Sequence, residues 1–439
     1  MPFRIQAYLR HAQYYLQVAR NANQAYEDGN QKEGLALFDS EWLHIHAGQV
    51  WAAENFGINE NTAQLCNEYP DLSAYCLDLR LAPLDQIPWL EIALQAARKL
   101  DRRESEGVHL GNLGNAYRNL GNPQKSIEYL EQALDISRQT FNQGGESNQL
   151  GSIGVAYADL GDTRKAIEYF EQALAISINI GDKRNQGKWL GSLGIAKANL
   201  GDVRKAIESF EQALGITHEM GDKRSESIWL DNLGNAYADL GDVHKAIEFY
   251  RKALAVAHEI NDKRAEGSTL SNLGLAYADL GETQNAIELF QQALAIARDN
   301  ADKRAEGSIL GNLGIAFASL GETLNAIEFY EQALAITREI GDKRGEGNRL
   351  GNLGNAYHKL GHARKAIQYY EQALGIAQEI GDKQCEGNAL ANLGNIYADL
   401  GNAHKANELM GSALEIFVAI ESPRVERTRK RLEELKSRA

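Results

Sequence analysis

The stretch "GNLGNAYHKLGHARKAIQYYEQALGIAQEIGDK", residues 351–383, decides the fold, because near-copies of it fill most of the chain, among them "DNLGNAYADLGDVHKAIEFYRKALAVAHEINDK" at residues 231–263. Gly114, Gly154, Gly194, Gly234, Gly274, Gly314, Gly354 and Gly394 recur every 40 residues, and a leucine stands four residues before each, from Leu110 to Leu390. A fixed period overrides any domain number guessed from 439 residues and marks a repeat array. In the first copy Leu110, Leu113, Gly114, Tyr117 and Leu120 fall on one face of a helix, helix A. Ile127, Leu130, Ala133, Leu134 and Ser137 predict a second, helix B. "LGD", as at Leu160–Asp162, supplies a glycine for a left-handed C-terminal cap and then an aspartate to cap the next helix; "IGDK", as at Ile180–Lys183, repeats the device. One such helix pair cannot bury its apolar faces alone, so neighbouring copies complete the core. Gly114 and its equivalents are expected to let helix A approach small Ala166-type positions on helix B closely.

The series Leu113, Gly114, Tyr117, Gly121, then Ala166, Phe170 and Ala173 in the next copy, resembles the tetratricopeptide repeat (TPR), in a long form of 40 residues where 34 is usual. This long form resembles kinesin light chains, the Leu-Gly-Asn-rich adaptors of spindle orientation, and the TPR arrays of bacterial NLR-like signalling ATPases. The resemblance implies an all-α fold, a right-handed superhelical solenoid of antiparallel helix pairs. Residues 101–420 are then eight repeats, 61–100 a degenerate one, 1–60 an N-terminal helical cap and 421–439 a C-terminal capping helix. That last segment carries seven Lys and Arg, and a polar outer face is what a terminal cap requires.

Composition and motifs narrow the function. A net charge of -14 repels phosphate backbones, so no nucleic-acid partner is expected. Cys66, Cys76 and Cys385 have neither zinc spacing nor an even number, which fits a reducing compartment. With no signal-like or membrane-spanning apolar run, a cytoplasmic location is expected. "GKW" at Gly187 lacks the glycine spacing and hydroxyl of a phosphate-binding loop, and no G-x-S-x-G, H-E-x-x-H or C-x-x-C occurs. His44 and His46, two apart, project from different faces of a helix. The expectation is a noncatalytic chain with no metal and no cofactor.

A helical wheel places positions equivalent to 108, 112, 115 and 119 opposite the core face of helix A, and in the TPR superhelix that side lines the concave groove. The groove candidates are Asn112, Asn115, Asn119, Val155, Ile195, Asn232, Asn235, Leu275, Ile315, Asn352, Asn355, Asn392 and Asn395. An asparagine amide matches a peptide bond's donor and acceptor, so a ladder of them suits an extended chain of any sequence, with the apolar members adding contacts. The bland reading is that these amides bond to each other or to water. Trp189 and Trp229 are candidate aromatic contacts because other copies vary there, although packing between repeats explains them equally. Asp162, Asp202, Asp242, Glu282 and Glu322 read as helix caps. Lys183-Arg184 and its equivalents sit at helix starts, where the dipole disfavours cations, so ion pairs to neighbouring repeats are expected.

The sequence therefore predicts an interaction scaffold or adaptor that binds a protein or peptide in its groove, and the kinesin-light-chain resemblance implies a role along a cytoskeletal filament. The alternative is a stand-alone sensor or regulator related to NLR-like signalling proteins or TPR peptide receptors. Membrane contact through the basic C-terminal helix is the weaker use of that segment.

Overall fold

A computed structural model describes residues 2–28, 30–72 and 74–438. It forms two compact units, residues 1–222 and 223–439, and among the described residues every regular element is an α-helix. The first unit holds α1 (Pro2–Glu27), α2 (Gln31–Asn55), α3 (Glu60–Leu72), α4 (Ala74–Arg80), α5 (Pro83–Lys99), α6 (Arg103–Asn119), α7 (Pro123–Gln139), α8 (Gln143–Asp159), α9 (Thr163–Asn179), α10 (Lys183–Asn199) and α11 (Val203–Met220). The second holds α12 (Lys223–Asp239), α13 (Val243–Glu259), α14 (Lys263–Asp279), α15 (Thr283–Asp299), α16 (Lys303–Ser319), α17 (Thr323–Glu339), α18 (Lys343–Lys359), α19 (Ala363–Glu379), α20 (Lys383–Asp399), α21 (Ala403–Ala419) and α22 (Val425–Arg438). From α6 to α21 helices A and B alternate, nearly all 17 residues long. Within each unit the repeat B helices α7, α9, α13, α15, α17 and α19 each pack between two A helices, and successive A helices touch one another, so the A helices form one side of each unit.

The turns form as their chemistry dictates. After helix A the chain turns through Gly121, Gly161, Gly201, Gly241, Gly281, Gly321, Gly361 and Gly401, all with φ near +80°. At the other turn five positions take the same left-handed conformation without glycine: Asp101, Phe141, Asn261, Ala301 and Glu421, with φ between 51° and 56°. A Cβ in that region costs about 1–2 kcal/mol. Ala301→Gly should therefore raise the unfolding free energy by about 1 kcal/mol in a urea titration, because relief of the left-handed strain outweighs the added freedom of the unfolded chain.

The helix starts refine the capping expectation. Asp162 and Asp242 each accept a bond from the backbone N–H three residues on, at 3.2 Å. Glu282 and Glu322 make no such cap; their carboxylates instead accept from the side chains of Asn285 and Asn325, both at 2.6 Å. Asp202 also makes no side-chain cap and lies 3.4 Å from the Lys205 ammonium.

The Lys-Arg pairs divide: the lysines pair with helix B of their own repeat, and the arginine reaches the neighbouring repeat as expected. Lys183 reaches Glu219, Lys303 reaches Glu339 and Lys343 reaches Glu379, all at 3.8 Å or less, and Arg344 reaches the cap Asp382 of the next helix A at 3.4 Å. Under them lies a buried acid near the start of helix A. Burial alone would raise the Glu306 carboxyl, but bonds from Arg298 at 2.8 Å and from Lys303 outweigh it and hold the group below its usual range.

The repeat glycines let helix A approach the Ala166-type positions, as the sequence suggested, but they meet the backbone there and the side chain of a larger residue one turn on. A methyl on Gly154 would lie 2.8 Å from the Phe170 ring and 3.2 Å from the Ala166 carbonyl oxygen; one on Gly114 would lie 2.6 Å from Leu130 Cγ. The missing side chain makes room for the large residue of helix B and for its backbone.

Candidate inner-face binding site

The groove candidates occupy the inner face, half-buried or exposed. Ile195, Leu275 and Ile315 are 43%, 44% and 51% exposed, and Val155 is half-buried. In the first unit Asn112, Asn115 and Asn119 gather with Trp89, Leu90 and Gln86 around a cleft of about 100 Å³. In the second, Asn355, Asn392 and Asn395 line a cleft of about 460 Å³ closed on one side by Arg427, Lys430 and Arg431 of α22. Arg431 Nε donates to Asn395 Oδ1 at 3.0 Å, so the final helix is tied to the same face, with Leu432 and Leu435 buried beneath it.

Part of the asparagine pattern has an internal cause. The Tyr250 hydroxyl donates to Asn235 Oδ1 at 2.8 Å, and the Tyr370 hydroxyl to Asn355 Oδ1 at 2.6 Å. Where helix B carries Phe170, Phe210 or Phe290, the corresponding helix A residue is Val155, Ile195 or Leu275. A buried hydroxyl needs an acceptor and a phenyl ring does not, so amide accompanies tyrosine and apolar accompanies phenylalanine. Ile315 opposite Tyr330, Asn115 opposite Leu130 and Asn395 opposite Met410 depart from the rule. Asn235 Nδ2 donates in turn to Asp231 at 3.4 Å, whereas the Asn355 NH₂ group makes no such bond among the described residues. Tyr250→Phe and Asn235→Leu should each lower stability by about 1 kcal/mol, while the double variant, which recreates the Leu275–Phe290 pair, should recover most of it in a double-mutant cycle. Asn232 bonds to its own helix at the Ile228 carbonyl, 3.0 Å away, and Asn119 accepts from Arg118 at 3.1 Å.

The two tryptophans are corrected. Trp189 is fully enclosed, its indole lying over Gly151, stacked on Phe170 at 6.3 Å, with Nε1 donating to Ser147 Oγ at 3.1 Å. Trp229 is buried too. Trp189 presents no ring to a partner, because it points at α8, the helix A of the preceding repeat. Lys197, which replaces a tyrosine, sends its ammonium to Ser209 Oγ at 3.1 Å and serves packing. His44 stacks on Tyr15 and His46 lies against Trp42 and Trp89, so the two rings face different surroundings.

What the single-helix wheel missed is the contact between consecutive A helices, where residue 109 of one repeat meets residue 71 before it, 149 meets 111, and so on. His109 lies 3.4 Å from Asp71; Gln149 covers Gly111; Trp189 covers Gly151; Thr269 donates to Asp231 at 2.9 Å; Arg349 covers Gly311. The signal in the sequence is size and charge complementarity at a separation of 38, between two columns of the repeat.

No helix of the described residues is long and apolar enough to cross a membrane. No curated protein matches the chain. Among solved structures it is similar to a Signal Transduction ATPase with Numerous Domains protein with a tetratricopeptide repeat sensor from Pyrococcus horikoshii, at 16% identity and TM-score 0.63, over 86% of this chain and 55% of that one. It is also similar to the quorum sensor NprR from B. thuringiensis, at 14% identity and TM-score 0.56, covering 82% and 97% of the two chains. A third is aspartyl phosphate phosphatase F from Bacillus subtilis, at 17% identity and TM-score 0.54, covering 81% and 93%. These likenesses establish the fold. A tetratricopeptide repeat model matches residues 87–139, 148–217, 225–299 and 306–379, more than half of the sequence, and a second such model matches 272–339. With the alternating helix pairs and the glycine turns, this places the chain in the tetratricopeptide repeat family.

Proposed function

We propose that the inner face of the A helices binds an extended segment of a protein partner, the chain acting as a noncatalytic scaffold. The observation that supports this reading is the combination of amide groups on the A helices, as at Asn355, with the exposed Ile195, Leu275 and Ile315. The amides suit a peptide backbone and the apolar side chains suit alternate residues along it. Exposed isoleucines cost little to keep but contribute binding free energy when covered. A photo-crosslinking residue at position 275 should trap a partner that one at the outer position 288 does not, and Leu275→Asp with Ile315→Asp should abolish the trapping without lowering thermal stability. Equal trapping from both faces would remove the reading.

Within it, the constant 40-residue register supports a partner that itself repeats, such as a filament, and cosedimentation with candidate polymers tests that finer proposal. The sensor or regulator alternative is favoured by one feature: α1 and α2, at 26 and 25 residues, exceed the repeat helices and pack as their own pair. If they deliver an output, deleting residues 1–60 should leave inner-face binding intact and remove the downstream response.

A further inference from the structure

The first two helices, α1 and α2, are covered along one seam and open along the other. On the covered seam Trp42 stacks on Trp89 of α5 at 5.9 Å, and His46 lies against the same indole. The opposite seam carries the pair's own rings. Tyr8 stacks on Trp51 at 6.1 Å, Tyr15 stacks on His44 at 4.8 Å, and Tyr14 stands edge-on to Tyr15 at 5.0 Å. These rings meet solvent, with Tyr8 44% and Tyr14 64% exposed and His44 exposed. Aromatic rings gathered on one surface are the composition of an interface core, not of a solvated helix face.

The spacing shows how this seam can pack. Tyr8 and Tyr15 are seven residues apart, as are His44 and Trp51, and the exposed Leu37 stands seven before His44. A seven-residue period keeps a seam turned toward a partner helix along its whole length. Because α1 and α2 run antiparallel, the rings form levels across the pair, Tyr8 with Trp51 and Tyr15 with His44. With helices about 37 Å long and a pair about 20 Å wide, the face offers roughly the 800 Å² per partner of a standard interface.

Charge selects the occupant. α1 carries Arg4, Arg10 and Arg20 against Glu27, whereas α2 carries Glu33, Asp39, Glu41 and Glu54 against Lys32. Asp39 is held by Arg80 at 2.7 Å, but Arg4, Arg10, Glu41 and Glu54 make no ion pair within 4 Å among the described residues. A second copy turned about an axis parallel to the helices sets each basic α1 on the acidic α2 of the other, and each ring level on its own equivalent. Turned about an axis across the helices, it would set α1 on α1 and bring like charges together, which is disfavoured.

We propose that α1 and α2 are a self-association surface through which two copies of this chain form a four-helix bundle about a twofold axis, α1 of each beside α2 of the other. This goes beyond the inner-face reading and does not rest on it, because the seam lies outside the repeats.

Sedimentation equilibrium of the full chain at about 100 µM, above the Kd of a standard-size interface, should give twice the 48.5 kDa of one chain. Two charge-reversed chains, Arg4→Glu with Arg10→Glu and Glu41→Arg with Glu54→Arg, should each sediment at the single-chain mass, since each sets like charges against its own copy. Mixed in equal amounts they should return to the double mass, because the acidic α1 of the first meets the basic α2 of the second. That recovery also shows that both variants fold. A parent of single mass, a reversed chain that still pairs with itself, or a mixture that stays single would each overturn the proposal. A single-mass parent that floats with vesicles of phosphatidylcholine and phosphatidylglycerol would do the same and make the seam a lipid contact.

Discussion

Trp189→Ala is expected to lower the unfolding free energy by about 3–5 kcal/mol, the range for removing a large buried aromatic. The indole is fully enclosed, stacks on Phe170 and donates to Ser147 Oγ, which in turn donates to the Ala173 carbonyl at 2.9 Å. Truncation would leave a cavity between α8, α9 and α10 and strip the serine of a partner. The reciprocal change, Gly151→Ala, pushes a methyl into the ring from the opposite side and should cost about 1–3 kcal/mol by overpacking. Because both changes act on one contact, their effects should not add: in Gly151→Ala with Trp189→Ala the new methyl enters the space the ring has left. Urea denaturation of the four proteins measures the coupling, and simple additivity would show that the two residues do not share a contact.

The second large effect concerns pH. His109 Nε2 lies 3.1 Å from Asn67 Oδ1, an acceptor, so Nε2 carries the ring proton. The bare Nδ1 then faces Asp71 Oδ1 at 3.4 Å, and two acceptors at that separation favour a proton on the carboxyl. Burial, with a smaller contribution from Glu68, pushes Asp71 up to about 7, and burial pushes His109 down to about 4, opposed by its bond to Asn67. Folding thus moves a proton from histidine to aspartate. Taken singly, the raised aspartate would lose stability as pH climbs from about 4 to 7, and the lowered histidine would gain it from about 4 to 6.5. Between about pH 4 and 6.5 the two slopes cancel, since each state then holds one proton on the pair. Asp71→Asn leaves the histidine term alone. The variant's unfolding free energy should rise by about 3 kcal/mol more than the parent's between pH 4 and 6.5, the value of the histidine shift for a ring with no solvent exposure. Urea midpoints at pH 4.5, 5.5 and 6.5 read this difference, and parallel profiles would refute the proton transfer.

The periodicity of Leu110, Leu113, Gly114 and Tyr117, the glycines after each A helix and the capping aspartates were legible because each is a local device. A helix turns its apolar face to whatever lies beside it, and a left-handed turn wants glycine, wherever the segment sits in space. The placement of the asparagines and of Ile195, Leu275 and Ile315 on a solvent-facing surface follows from the same wheel. Gly154 was less legible, because a missing side chain does not say whether alanine or phenylalanine will fill the gap.

The sequence by itself determined an array of paired helices with one amide-rich face, since period and helical spacing are properties of the chain read along its own length. Only the tertiary structure decided that Trp189 is core, that Asn235 and Asn355 serve buried tyrosines, and that Arg349 lies over Gly311. The reason is distance along the chain. These fates depend on the volume and charge of a residue 15 or 38 positions away, which the packing of one helix on the next brings into contact and which no helix specifies alone.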